Sequence, residues 1–157
     1  SIDAPLVECS VLTNLDFVAA IPLNHVLAEK AVIRAKDLHQ QDFVSLSVLD
    51  HTREEIETCL KNAGAVPNER SECSLPSVVL QMIENGIGIG LVDHVSAEEH
   101  QPRNIVFRPF LPSISVKVWL MRPRMRPRSM VVDEFVDLLI QTVESQGLSS
   151  QNGSLAY

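Results

Sequence analysis

"QMIENGIGIGLVDH", from Gln81 to His94, is the stretch whose reading decides the fold. Three glycines, Gly86, Gly88 and Gly90, stand at alternate positions inside an apolar run. A phosphate cradle would need G-x-G-x-x-G after a strand and opening a helix, so that the anion meets the free N–H groups of the helix. Here the spacing is G-x-G-x-G, and a helical pattern precedes the glycines while a strand pattern follows them. No Lys follows where a P-loop needs one. The stretch therefore reads as backbone packing. Gly86 ends a helix, and Gly88 and Gly90 leave one strand face bare so that neighbouring backbone can approach.

Upstream, the helix ended by Gly86 is expected to begin at Ser74 and Pro76, with Leu75, Val79, Met82 and Ile83 on its buried side. "ERSECS" before it is a short edge-like strand. An earlier unit of the same kind consists of the strand "DFVSLSVL" (Asp42 to Leu49) and a helix that Thr52 opens, with Glu55 completing a capping box. Ile56, Cys59, Leu60 and Ala63 give this helix an i, i+3, i+4, i+7 stripe, and Gly64 and Pro67 stop it. Before that, "LDFVAAI" (Leu15 to Ile21) is a buried strand ended by Pro22, and a turn is expected around Lys36 to Leu38.

Downstream, a short helix capped by Ser96 carries Glu98 and Glu99 in its first turn. The pattern then changes. "IVFRPF" and "SVKVWLM" are strands, and a long helix follows with Val132, Phe135, Leu139 and Val143 on one stripe. "GLSSQNGSLAY" has the composition of a tail. Strands alternating with helices imply an α/β architecture with a largely parallel sheet.

The chain of 157 residues is long enough for one ordinary domain or two small lobes. No apolar run approaches the roughly 20 residues that span a bilayer. A formal charge of −7 argues against this chain gripping nucleic acid through its own field. Cys9, Cys59 and Cys73 are odd in number and lack a C-x-x-C pair, which fits a reducing, cytoplasmic setting and no zinc site. "SIDAPLVECS" is not a signal peptide and does not resemble the start of a fold.

"LQMIENGIGIGLVDHVSA" resembles the helix–GxGI–strand segment in the effector-binding domain of LysR-type transcriptional regulators. "LDFVAAIPLNHVLA" resembles the family's strand, Pro and His-x-Leu-Ala turn, with Val26 where the family commonly has Pro. "AKDLHQQDFVSL" and "IVFRPFLPSISVKVWLMRPRMRPRS…FVDLL" resemble further segments in the family's order. "GLVDH" and "RPFLP" lean towards the opine-responsive subgroup. The resemblance implies a periplasmic-binding-protein-like (type II) effector domain of two lobes, one complete and the other only partly present. Residues 1–11 would end the first lobe and cross the hinge. Residues 12–104 would be the second lobe, residues 105–147 the return crossing, strand and final helix of the first, and residues 148–157 a flexible tail. It also implies a fragment: the family's N-terminal helix-turn-helix, linker helix and first half-lobe are missing from this sequence.

In open α/β sheets, ligands bind at strand carboxyl ends, where helix N-termini offer unpaired N–H donors. Asp50, His51 and Thr52 stand at one such end, and Ser74, Leu75 and Ser77 at the next. The resemblance puts the family's effector cleft at these two turns, although helix capping alone accounts for Thr52 and Ser74. An Asp50 carboxylate facing the cleft favours a ligand bearing guanidinium or ammonium, as amino-acid derivatives do. No metal is expected, because none of the five histidines pairs with another ligand at helical spacing. No catalytic signature is present, there being no G-x-S-x-G elbow and no H-E-x-x-H, and no cofactor is implied. Arg122, Arg124, Arg126 and Arg128 read as a solvated loop kept extended by Pro123 and Pro127.

The expectation is thus a small-molecule sensor in a bacterial transcriptional regulator, homo-oligomeric, contacting DNA only through a separate N-terminal domain. A solute-binding protein of the same lobed architecture, serving transport, is the alternative. The absence of a signal peptide and the scattered cysteines weigh against it.

Overall fold

The structure is a computed structural model, and it describes residues 6–47, 51–100, 104–125 and 129–145. Asp16–Ser115 form one compact unit; Ser1–Leu15 and Val116–Tyr157 form the other. One long strand, β1 (Val7–Pro22), contributes to both.

The larger unit is a mixed sheet with helices against it. β3 (Asp42–Leu46) and β4 (Asn68–Cys73) pair in parallel, with Leu46 opposite Cys73. A parallel bridge joins Phe43 to Ile89. The N–H of Val44 donates to Ile89 O and the N–H of Ile89 to Asp42 O, each at 2.8 Å. The chain continues as β5 (Gly90–Asp93), which pairs antiparallel with β1 from Ala20↔Gly90 to Phe17↔Asp93. On the other side of β1 lies β6 (Ile105–Leu111), also antiparallel to it, and β2 (Ile33–Arg34) runs parallel to β6. The order is therefore β4-β3-β5-β1-β6-β2. Every strand but β1 points the same way, so the expected parallel sheet is interrupted by the one strand shared between the units.

The glycine run behaves as backbone packing. A Cβ on Gly88 would lie 2.5 Å from Asp42 O, inside the bridge to β3. A Cβ on Gly90 would lie 2.8 Å from Ile83 Cδ1 and 3.2 Å from Val44 O. Gly86 has φ +75° and Gly64 has φ +66°, the left-handed conformation that closes helices. The core gathers around this segment: Ile21, Val44, Val79, Leu80, Ile83, Ile89, Leu91 and Val92 are almost wholly buried.

Three expected helix starts are corrected. α1 (His51–Asn62) takes in Thr52 instead of being capped by it, so the Thr52–Glu55 capping box does not form. Thr52 precedes Ile56 and Leu60 by four and eight residues and is buried on the same stripe, so the helix takes it in and starts one residue earlier, at His51. α2 (Pro76–Glu84) is capped by Leu75, not Ser74. Pro76 takes the first helical position and forces its predecessor extended, giving Leu75 φ −117° and ψ 122°. Leu75 is accordingly exposed, and Leu80 takes the expected place on the buried side. α3 (His94–Glu99) starts before Ser96, because the Asp93 carboxylate accepts from both the N–H (2.8 Å) and the hydroxyl (2.7 Å) of Ser96.

In the smaller unit, β7 (Ser115–Pro123) pairs with β1, and the N–H of Arg124 donates to Leu6 O at 2.9 Å. α4 (Met130–Ser145) follows. Its expected inward stripe is turned. Val136 is buried and Leu139 and Val143 are half-buried, whereas Val132 and Phe135 are 52 % and 62 % exposed. An ion pair from Arg122 to Asp133, at 2.9 Å, puts Asp133 on the row shared with Val136 and so selects the face turned inward. Of the four arginines expected in a solvated loop, Arg122 instead lies in β7 and pairs with Asp133, Arg124 follows in an exposed turn, and Arg126 and Arg128 lie outside the described residues.

Candidate functional site

The pairing of Leu46 with Cys73 sets the site. It makes β3 and β4 end side by side, and the N–H of Ser47 still reaches Cys73 O at 3.0 Å. Each strand is followed by a helix, so the N-termini of α1 (12 residues) and α2 (9 residues) open at one edge of the sheet. Both present the partial positive charge and spare donors of a helix start.

Thr52 sits in the first turn of α1 and is 8 % exposed. Asp50 lies outside the described residues, as does the His51 side chain, although His51 is the first residue of α1. On the second turn, Ser74, Leu75 and Ser77 are all exposed. Pro76 has no N–H, and the N–H groups of Val78 and Val79 both return to Leu75 O, at 3.0 and 3.1 Å. The first N–H of α2 is therefore that of Ser77, with the exposed Ser77 hydroxyl beside it. The fold thus brings Thr52 and the Ser74–Ser77 turn to one edge, where the exposed Ser74 and Ser77 hydroxyls and the Ser77 N–H can meet an anionic or polar group.

One residue that the sequence reading missed stands between these turns. Arg53 donates from Nε to Glu57 (2.6 Å), from Nη1 to Glu72 (2.9 Å) and Leu46 O (3.0 Å), and from Nη2 to Glu69 (3.0 Å). Hydrogen bonding to Glu57 raises the pKa of its guanidinium above the ordinary value, against the opposing effect of burial, with help from the charges of Glu69 and Glu57. Arg53 pins the first turn of α1 to β3 and β4, and so holds Thr52 in place. The Arg53–Glu57 spacing is visible in sequence as an i, i+4 pair. The partners on β4 depend on a strand register that sequence spacing does not supply.

The site carries no nucleophile signature. Burial on α1 pushes the Cys59 thiol above its ordinary pKa, which disfavours the reactive thiolate. Among the described residues no three of His, Cys, Asp and Glu cluster to hold a metal. Among them, too, no helix is long and apolar enough to cross a membrane.

Comparison with known proteins identifies the fold. The regulatory protein NocR of Agrobacterium tumefaciens (strain T37) is 24 % identical over 143 residues, covering 91 % of this chain and 48 % of NocR. The transcriptional activator protein LysR of Escherichia coli (strain K12) is 29 % identical over 128 residues, covering 82 % of this chain and 41 % of that protein. The chain thus spans less than half the length of these two relatives. The effector binding domain of BenM, solved with its effector benzoate, superposes with a TM-score of 0.74 at 19 % identity, over 100 % of this chain and 72 % of that one. The mixed α/β fold is that of LysR effector-binding domains, of the periplasmic-binding-protein-like type. With the LysR substrate binding domain matching residues 1–144, this chain belongs to that family.

Proposed function

We propose that this chain senses a small-molecule effector on behalf of a transcriptional regulator, and that the effector contacts residues 50–52 and 74–77. The observation that carries the reading is the parallel Leu46–Cys73 pairing, because it aligns two helix N-termini and their hydroxyls on one edge. The relatives support it: one is named a regulatory protein and the other a transcriptional activator, which favours sensing over the transport alternative. Helix N-termini and the Ser77 and Thr52 hydroxyls suit a carboxylate. The Asp50 carboxylate suits a cationic nitrogen. An amino-acid derivative carries both groups, and N-carboxyalkyl amino acids of the opine kind add a second carboxylate.

In this reading residues 12–104 act as one lobe and residues 1–11 with 105–147 contribute to the other. Ligand closes the lobes and shifts the arrangement of a cytoplasmic homo-oligomer, whose DNA contacts lie in a separate domain. The chain is a binding module and not an enzyme, and it needs neither metal nor cofactor. The test is calorimetric titration of the complete regulator with a panel of amino acids, N-carboxyalkyl amino acids and small aromatic carboxylates, alongside its affinity for promoter DNA. One class should bind and change the DNA affinity. A panel that binds without altering DNA affinity contradicts the sensor reading.

A further inference from the structure

Beneath α1 the larger unit holds an open space of about 340 Å³. Protein interiors are normally packed with few voids larger than a water molecule, and ligand sites begin at about this size. Its lining is mostly apolar: Phe43, Ile56, Leu60 and Leu91, each 5 % exposed or less, form its inner wall. Its rim is charged, with Arg53, Glu57, Lys61 and Glu69 around the opening.

The rim charges decide what the space suits. Arg53 already gives four of its five donors to Glu57, Glu69, Glu72 and Leu46 O, so it has little left for an incoming anion. On the rim itself Glu57 and Glu69 balance Arg53 and Lys61, and Glu72, which lies outside the lining, adds a third carboxylate to the Arg53 network. Glu69 meets both Arg53 and Ser45 through Oε2, and Glu57 meets Arg53 through Oε1. Among the described residues, a second oxygen on each carboxylate is therefore left to accept from a cation. Glu57 and Glu69 side chains are 60 % and 45 % exposed, so a ligand head can reach them from solvent.

We infer that the cavity between α1 and the β3–β4 strands is a second binding site, for a small organic ammonium whose apolar body lies against Phe43, Ile56, Leu60 and Leu91 and whose charge meets Glu57 and Glu69. Its lining includes none of residues 50–52 and 74–77, although Arg53 belongs both to its rim and to the network that holds Thr52. The apolar wall holds the body of the ligand, and the carboxylates of the rim select its head group.

Titrating the ¹⁵N-labelled 157-residue chain with 2-phenylethylammonium, 2-phenylethanol and 3-phenylpropionate, followed by amide chemical shifts, tests this directly. The amine should shift the signals of Phe43, Ile56, Leu60 and Leu91, and it should bind more tightly than the alcohol and the acid. Glu57→Gln should weaken the amine by about threefold and Lys61→Gln should strengthen it by about as much, the scale of one exposed charge pair. Neither change should move the alcohol's affinity. Both substitutions are at exposed side chains, so the amide spectrum of each variant reports at once that the fold is kept. Shifts confined to residues 50–52 and 74–77, an alcohol that binds as tightly as the amine, or no shifts at all would each overturn the inference.

Discussion

Gly88 and Gly90 differ in what crowds them, and the difference has a measurable consequence. A Cβ on Gly88 would meet Asp42 O at 2.5 Å, a backbone atom held in the bridge between β3 and residue 89, so nothing can yield without breaking that bridge. Gly90 faces first the end of the Ile83 side chain, which can turn. Gly88→Ala should therefore cost about 2–3 kcal/mol in denaturant unfolding and Gly90→Ala roughly 1 kcal/mol. Equal losses would show that the strand spacing, and not the neighbour, sets the cost. At Asp37, burial opposes ionisation, but hydrogen bonds from Lys30 Nζ (2.6 Å) and the Arg34 N–H (2.8 Å), with the charges of both residues, outweigh it. Its carboxyl is held below the ordinary carboxylate range. A lowered folded pKa means that the contribution is present above the unfolded value and is lost as pH falls through the folded one. Wild type should accordingly exceed Asp37→Asn in stability at neutral pH, with the gap closing in acid below the ordinary range. A gap that widens in acid would reverse the assignment.

At the scale of elements, Arg53 joins α1 to β3 and β4 through partners that are 37–60 % exposed, so solvent screens much of their attraction. Arg53→Ala should lower stability by about 1 kcal/mol at low salt, and by less at about 1 M salt, where the screening length is about 3 Å. Loss that is indifferent to salt would assign the effect to packing of the Arg53 stem instead. On α4, Val131, Phe135 and Leu138 are 74 %, 62 % and 62 % exposed along an outward face. Such a patch favours association, so light scattering should find this chain as a dimer or larger species. Phe135→Ser with Leu138→Ser should return it towards the monomer, and a wild-type chain that stays monomeric at high concentration contradicts the expectation.

These elements also show which parts of the fold the sequence made legible. Helix bodies and glycine stops were readable, because 3.6-residue periodicity and left-handed glycines are local properties of the chain. The starts of α1 and α3 and the cap of α2 were not. Each was settled by competition among neighbours: Thr52 was drawn onto a buried stripe, Pro76 displaced Ser74, and Asp93 captured both donors of Ser96. The inward face of α4 depended on the Arg122–Asp133 pair, eleven residues apart across a loop. The two turns of the candidate site were legible because each follows a strand and opens a helix. That they lie side by side required the β3–β4 pairing, and the Arg53 network required its register.

For the whole molecule, the paired turns after β3 and β4 are proposed to receive the effector of a transcriptional regulator. Once a binding compound is in hand, titrating it into the complete regulator carrying Ser77→Ala tests that claim most directly. Ser77 is exposed and Leu75 is the cap of α2, so this substitution removes a ligand contact without removing the helix cap. Thr52→Ala and Asp50→Asn serve as companions, with unfolding measured beside binding because Thr52 is buried. One lost hydrogen bond to a charged group corresponds to about 1.5–3 kcal/mol, so each substitution at a contact should weaken binding by roughly tenfold or more. Unchanged affinity in all three variants, with stability preserved, would contradict the account.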